Sequence, residues 1–167
     1  MHPDLQQALD DIMISVAGMT AKQLDSHPPG KWSTGLILEH LLLSYQASGA
    51  RLSAATEEGT TKTLPDTLKQ RFGAFVVVGL GHFPTGRTAP EYVQPKGVST
   101  HDIVEATRTA LVEFDATATR CARRFGLDTK VSNHPILGAF SVRQWRRFHR
   151  IHTRHHMKQV AGLRAQK

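Results

Sequence analysis

Apolar positions recur along this chain at helical spacing in four stretches, with little strand-like alternation. In "PDLQQALDDIMISVAGM", Leu5, Leu9, Ile12, Val16 and Met19 form one stripe, and Pro3 and Asp4 suit a first helical turn. "HPPGKW" breaks that pattern as a loop. Ser33 then reads as the N-cap of "TGLILEHLLLSYQASGARLSAATEEG". The first half of that segment is apolar almost all round, as in a deeply buried helix, and Gly59 is a natural stop.

Residues 60–98 are less regular. "LPDTLKQRFGAF" predicts a short helix starting near Pro65, and "VVVGLGHFPTGRTAPEYVQPKG" predicts an irregular excursion. A third long helix follows, with a capping box from Ser99 to Asp102 and a stop at Gly126. Its apolar face is Ile103, Thr107, Ala110, Leu111, Phe114, Ala118, Cys121 and Phe125. "LDTKVSNHPILGAF" reads as a connector, and Ser141 with Gln144 makes a second capping box at the head of the last helix. Four long amphipathic helices predict an all-α bundle, and 167 residues fit a single domain, 1–167.

Composition changes this picture little. Hydrophobic residues are 40% and charged residues 21% of the chain, which excludes wholesale disorder. Charge placement is more informative. From Ser141 to Lys167 there are eight Lys or Arg and no acid; the other 13 bases face 14 acids, so the net +7 sits on the last helix. Such a stripe attracts anions or is simply a solvated face. Cys121 is the lone cysteine, which rules out an intramolecular disulfide and fits a reducing cytosol. The N-terminus has no signal-peptide pattern, and the apolar runs are too short to span a membrane, so a cytoplasmic location is expected.

The last helix also carries "HRIHTRHHMKQ", with four of the ten histidines. At roughly 100° per residue, with Trp145 at zero, His152 falls near −20°, His156 near +20° and His149 near +40°. Leu163 shares that stripe, while Arg143, Arg146, Arg147, Arg150, Arg154 and Lys158 occupy the other side. Imidazoles in register with core positions need hydrogen-bond partners or a metal. His152 and His156, four apart, can converge on one ion, and His149 with His152 is a rival pair. A third ligand has to come from another element. His40, alone among histidines in the apolar second helix, is the best candidate, on a face with Leu36, Ile37, Leu41 and Ser44. A core histidine bonded to a neighbour is the plainer explanation of His40.

Two of these stretches resemble a known family. "GKWSTGLILEHL" is similar to the W-S-x-x-x-x-x-x-H-L start of the second helix in the DinB-like superfamily of metal-binding four-helix bundles. "HPILGAFSVRQWRRFHRIHTRHHMKQV" resembles its last helix, where H-x-x-H-H-x-x-Q recurs. The resemblance covers roughly residues 31–160 and implies an up-down-down-up bundle with a three-histidine divalent-metal site. Carried over, the ligands are His40, His152 and His156, and His155 matches a position that is not a ligand. The superfamily includes thiol-dependent transferases, many with Gly before the motif's Gln; Lys158 precedes Gln159 here.

Three neutral histidines leave a divalent ion its full charge and open coordination positions; zinc, nickel and iron all suit imidazole. The ion can activate water for hydrolysis or bind a low-molecular-weight thiol as thiolate for group transfer. Gly79 to Gly97 can wall a pocket or merely connect helices. Ser44 and Gln159, one turn from His40 and His156, are candidate acceptors for the second ring N–H, and Glu39, ~100° round from His40, reads as a solvent-facing or helix-pairing carboxylate.

Three other readings compete. "GHFPTGRT" looks like a phosphate-binding loop after an apolar strand, but Pro90 and Pro95 interrupt the helix it would open. Nucleic acid is disfavoured as a partner because the basic stripe lacks aromatic interleaving. A non-catalytic bundle with a structural ion differs from an enzyme in having a closed site. An apolar end or flank can also serve homodimerisation.

Overall fold

The computed structural model describes residues 1–84, 86, 88–97 and 102–165. Six α-helices account for most of it: α1 (Pro3–Val16), α2 (Ala21–Asp25), α3 (Thr34–Glu58), α4 (Leu68–Ala74), α5 (Ile103–Phe125) and α6 (Val142–Arg164). One antiparallel hairpin, β1 (Lys130–His134) with β2 (Gly138–Ser141), precedes α6. The chain is therefore predominantly helical, as expected, and the hairpin stands where a plain connector was expected.

Helix ends follow local chemistry. Ser33 Oγ accepts from Leu36 N at the head of α3, and Gly59 ends that helix with φ +70°, where a side chain is strained. Ser141 and Gln144 form the expected capping box on α6. Helix α1 stops at Val16 rather than Met19, and α4 starts at Leu68 rather than near Pro65, behind a Thr67–Gln70 capping box. The proposed box from Ser99 to Asp102 lies partly outside the described residues.

Helix α1 packs on α6 and α3 on α5. The α5 face is buried almost as its periodicity predicts, from Ile103 and Thr107 through Phe114 to Cys121. Leu5, Ile12, Tyr45, Leu52, Phe114, Trp145 and Val160 complete the same core. A fully buried Leu or Phe contributes about 1.5–3 kcal/mol, so this cluster holds the helices in place.

The hairpin is held from three sides. Val131 and Phe140 are fully buried, and Trp145 Nε1 donates to Ser132 Oγ at 3.1 Å. The segment before α4 is tied on by Lys62 N to Val131 O at 3.1 Å and Leu64 N to Asn133 Oδ1 at 2.8 Å. Gly138, φ +80°, is required: a Cβ there would lie 2.2 Å from Asp66 Oδ1, the acceptor of Ala139 N.

The apolar run "FVVVG" is a single π turn, Phe75–Gly79, closed by Leu80 N to Phe75 O at 2.9 Å. It buries Val77 and Val78. No strand forms there, so the phosphate-loop reading loses its support; its residues 85 and 87 lie outside those described. No helix among the described residues is long and apolar enough to cross a membrane.

Candidate metal centre

His40 sits near the head of α3, and His152 and His156 lie one turn apart on α6. The three are buried, and one ring nitrogen of each lies within 4.8 Å of the others. The Nε2 atoms of His40 and His152 are 3.1 Å apart, and those of His156 and His152 are 3.0 Å apart. Nitrogens held 2.0–2.1 Å from one ion are separated by about 2.9 Å at right-angle geometry and about 3.3 Å at tetrahedral geometry. The observed separations fall inside that interval.

The outer nitrogens define the tautomers. His40 Nδ1 donates to the carbonyl of Val93 at 2.8 Å, and His156 Nδ1 donates to Gln159 Oε1 at 2.8 Å. A neutral imidazole carries one N–H, so Nε2 of both rings presents a lone pair. Both lone pairs point at Nε2 of His152. That atom has at most one hydrogen to offer, so the three rings cannot all be satisfied by one another. Protonation is opposed. Burial holds His40 below its ordinary pKa and pushes His156 down to about 3, and burial with the neighbouring histidines holds His152 well below its ordinary value. A cation among the three lone pairs satisfies them together. The residues fit a divalent ion on this ground. His152 Nδ1 is buried with no hydrogen-bond partner, so this ring lacks the outer acceptor that the other two have.

The remaining expectations divide. Gln159 is the outer acceptor for His156, as spacing suggested. Ser44 is not one for His40: its hydroxyl donates to the His40 backbone carbonyl, and Val93, distant in sequence, takes the ring N–H. Glu39 is buried rather than solvent-facing, and its carboxylate accepts from Lys96 N at 2.8 Å and Gly97 N at 2.9 Å. That contact draws the 91–97 segment against α3 beside Val93. His149 does not join the cluster. It is fully buried against Tyr45, Phe114, Trp145 and Phe148, and neither ring nitrogen has a hydrogen-bond partner. His155 lies on the flank, its ring tilted against Phe83 with centroids 4.8 Å apart.

The basic stripe is largely engaged. Arg143 pairs with Asp128 and Arg150 with Asp4; Arg147 and Arg154 donate to the carbonyls of Gly79 and Gly81. Arg146 is buried, against expectation, and reaches Asp115 at 3.3 Å and Thr119 at 2.8 Å.

The three histidines open onto a cavity of about 1010 Å³. Its walls are mainly apolar, including Trp32, Val77, Phe83, Leu137 and Phe148. Phe83, Gly86, Pro90, Tyr92 and Val93 of the Gly/Pro-rich excursion line it, so these described residues wall a pocket rather than merely connecting helices. Trp32 lies 5.2 Å from the His40 ring, and Phe83 stacks on His152 at 5.1 Å. Periodicity gave no signal for Val93 or Phe83, which reach the cavity from the Gly/Pro-rich excursion, or for His134, which reaches it from the end of β1.

A family model described as "Protein of unknown function (DUF1569)" matches residues 3–162. No curated protein and no solved structure matches the chain.

Proposed function

The chain belongs to the DUF1569 family, and we propose that it is a DinB-like four-helix bundle whose three-histidine metal site acts on a small molecule. The observation that carries this reading is three Nε2 atoms converging at the edge of a large apolar cavity. An ion bound only at one face by protein keeps positions for a substrate, whereas a structural ion is enclosed by four protein ligands. Helices α1, α3, α5 and α6 are the four members of the bundle.

His40, His152 and His156 hold the ion. Zinc, nickel or iron suits the all-imidazole donor set. When bound, the ion supplies Lewis acidity toward water or a small thiol, the two nucleophiles appropriate to hydrolysis and thiol-dependent transfer. Val93 and Gln159 fix two rings in the tautomer that exposes Nε2. Trp32, Phe83 and Phe148 cover the imidazoles with apolar surface and limit access of bulk water.

Metal analysis of the purified protein tests the reading. Wild type should carry about one equivalent of divalent metal per chain, and His152→Ala should carry almost none. Equal metal in both removes His152 from the site.

A further inference from the structure

We propose that the cavity binds an elongated, mainly apolar molecule with one carboxylate, the carboxylate at Arg51 and the opposite end at His40, His152 and His156. This identifies the ligand class of the same site, and it rests on the histidines being the reactive end.

One wall of the cavity is a single face of α3. His40, Ser44, Ala47, Ser48 and Arg51 all line it. Eleven residues separate His40 from Arg51, which is roughly 16 Å of rise and a net turn of only about 20°. The two residues thus stand on one face of α3, their backbones about three turns apart. Among the described lining residues there are three bases, Lys31, Arg51 and Lys69, and no Asp or Glu.

Arg51 has donors to spare. Its Nη1 donates to the carbonyl of Ala47 at 2.9 Å, and its guanidinium lies 5.3 Å from the ring centre of Tyr92. Among the described residues it has no carboxylate partner, whereas Arg108, Arg143, Arg146 and Arg150 each have one. A guanidinium carries five N–H donors and suits a carboxylate bidentately.

His134 supplies a second donor at that end. Its Nδ1 accepts from Ile136 N at 3.1 Å and Leu137 N at 3.2 Å, so its ring hydrogen is on Nε2. The ring lines the cavity against Phe148 and Trp145. Burial, with a contribution from the Arg51 charge, holds its pKa down to about 4, so it stays a neutral N–H donor. A fixed N–H and a guanidinium without a carboxylate partner therefore face the same cavity as the three histidines.

Much of the remaining lining is unsuited to charge: Val77, Leu137 and Phe148 contribute to it, as do Phe72 and Tyr92, which are 69% and 50% exposed. Exposed aromatics around a concave apolar site fit an apolar ligand body.

Decanoate is a suitable probe, with decyltrimethylammonium as its charge-reversed control. Calorimetric titration of the protein as purified should show decanoate binding and at least tenfold weaker binding of the cation. Arg51→Met should weaken decanoate at least tenfold, Arg51→Lys should recover part of the loss, and both should keep the wild-type circular dichroism and metal content. Wild type in chelator should still bind decanoate within about threefold of untreated wild type. The proposal is overturned if decanoate does not bind, if Arg51→Met binds it as wild type does, or if chelation abolishes binding while Arg51→Met does not. In that last case the carboxylate sits at the histidine end. Metal content measured on the same samples reports separately on the metal reading: a metal-free protein that still shows the Arg51 dependence overturns that reading alone.

Discussion

His40 and His152 are 112 residues apart in the chain, yet their Nε2 atoms meet at 3.1 Å. His152 cannot donate its one hydrogen to His40 without leaving the Nε2 lone pair of His156 without a donor. An ion that binds only this arrangement must stabilise the fold. Adding zinc at a hundred times its dissociation constant should raise unfolding free energy by about 2.7 kcal/mol. Thermal melts of chelated and reloaded protein measure the shift, and His40→Ala should show none of it.

Gln159 is predicted to matter through His156. Gln159→Leu removes the acceptor of His156 Nδ1 while keeping side-chain bulk. Metal affinity should fall by about 10–100-fold. Competition with a chromophoric chelator gives the affinity, and an unchanged value shows that the amide does not orient the ring.

Glu39 is predicted to act at longer range. Its carboxylate holds Lys96 N and Gly97 N, and Val93 in the same segment accepts from His40. Glu39→Ala should loosen residues 91–97 and weaken metal binding several-fold. Hydrogen exchange at Lys96 and Gly97 should rise in parallel; loosening without any loss of metal affinity separates the two.

Acid sensitivity should trace in part to His149. Burial, with a smaller repulsion from His134, holds its pKa down to about 3, against an ordinary 6.5 in the unfolded chain. Between those values the unfolded state binds the additional proton, so stability falls as pH falls. On going from pH 7.5 to pH 5, wild type should lose about 2 kcal/mol more than His149→Phe. Urea unfolding at the two pH values checks this, and parallel losses in both proteins exclude His149 as a source.

The buried pair of Arg146 and Asp115 gives a stability prediction away from the site. The two side chains are 7% and 13% exposed, and Asp115 also accepts from His2 N. Arg146→Met strands the carboxylate and should cost about 3–5 kcal/mol. Arg146→Met with Asp115→Leu should recover much of that loss. Chemical denaturation of the single and double variants distinguishes an ion-pair effect from a packing effect.

Long-period features were the most legible. The α5 face and the α6 stripe follow from spacing alone because each repeats over many turns. His152 and His156 came from that stripe, and His40 from its isolation in an apolar helix. What escaped depends on chain that folds back over a helix. Glu39 looked exposed because a helical angle says nothing about a segment 57 residues away closing over it. The hairpin escaped because its strands are only five and four residues long, too short for an alternation to stand out. Arg146 left its basic stripe because a carboxylate and a hydroxyl on α5 await it.

Val93 has a double position: its carbonyl steadies the His40 ring, and its residue is part of the cavity wall. A guest that shifts this wall changes how His40 presents itself, and so changes the grip on the ion. Thermodynamic reciprocity then requires the ion to alter the grip on the guest by an equal factor. Occupancy of one compartment is thereby readable in the other, with one peptide unit as the hinge between them.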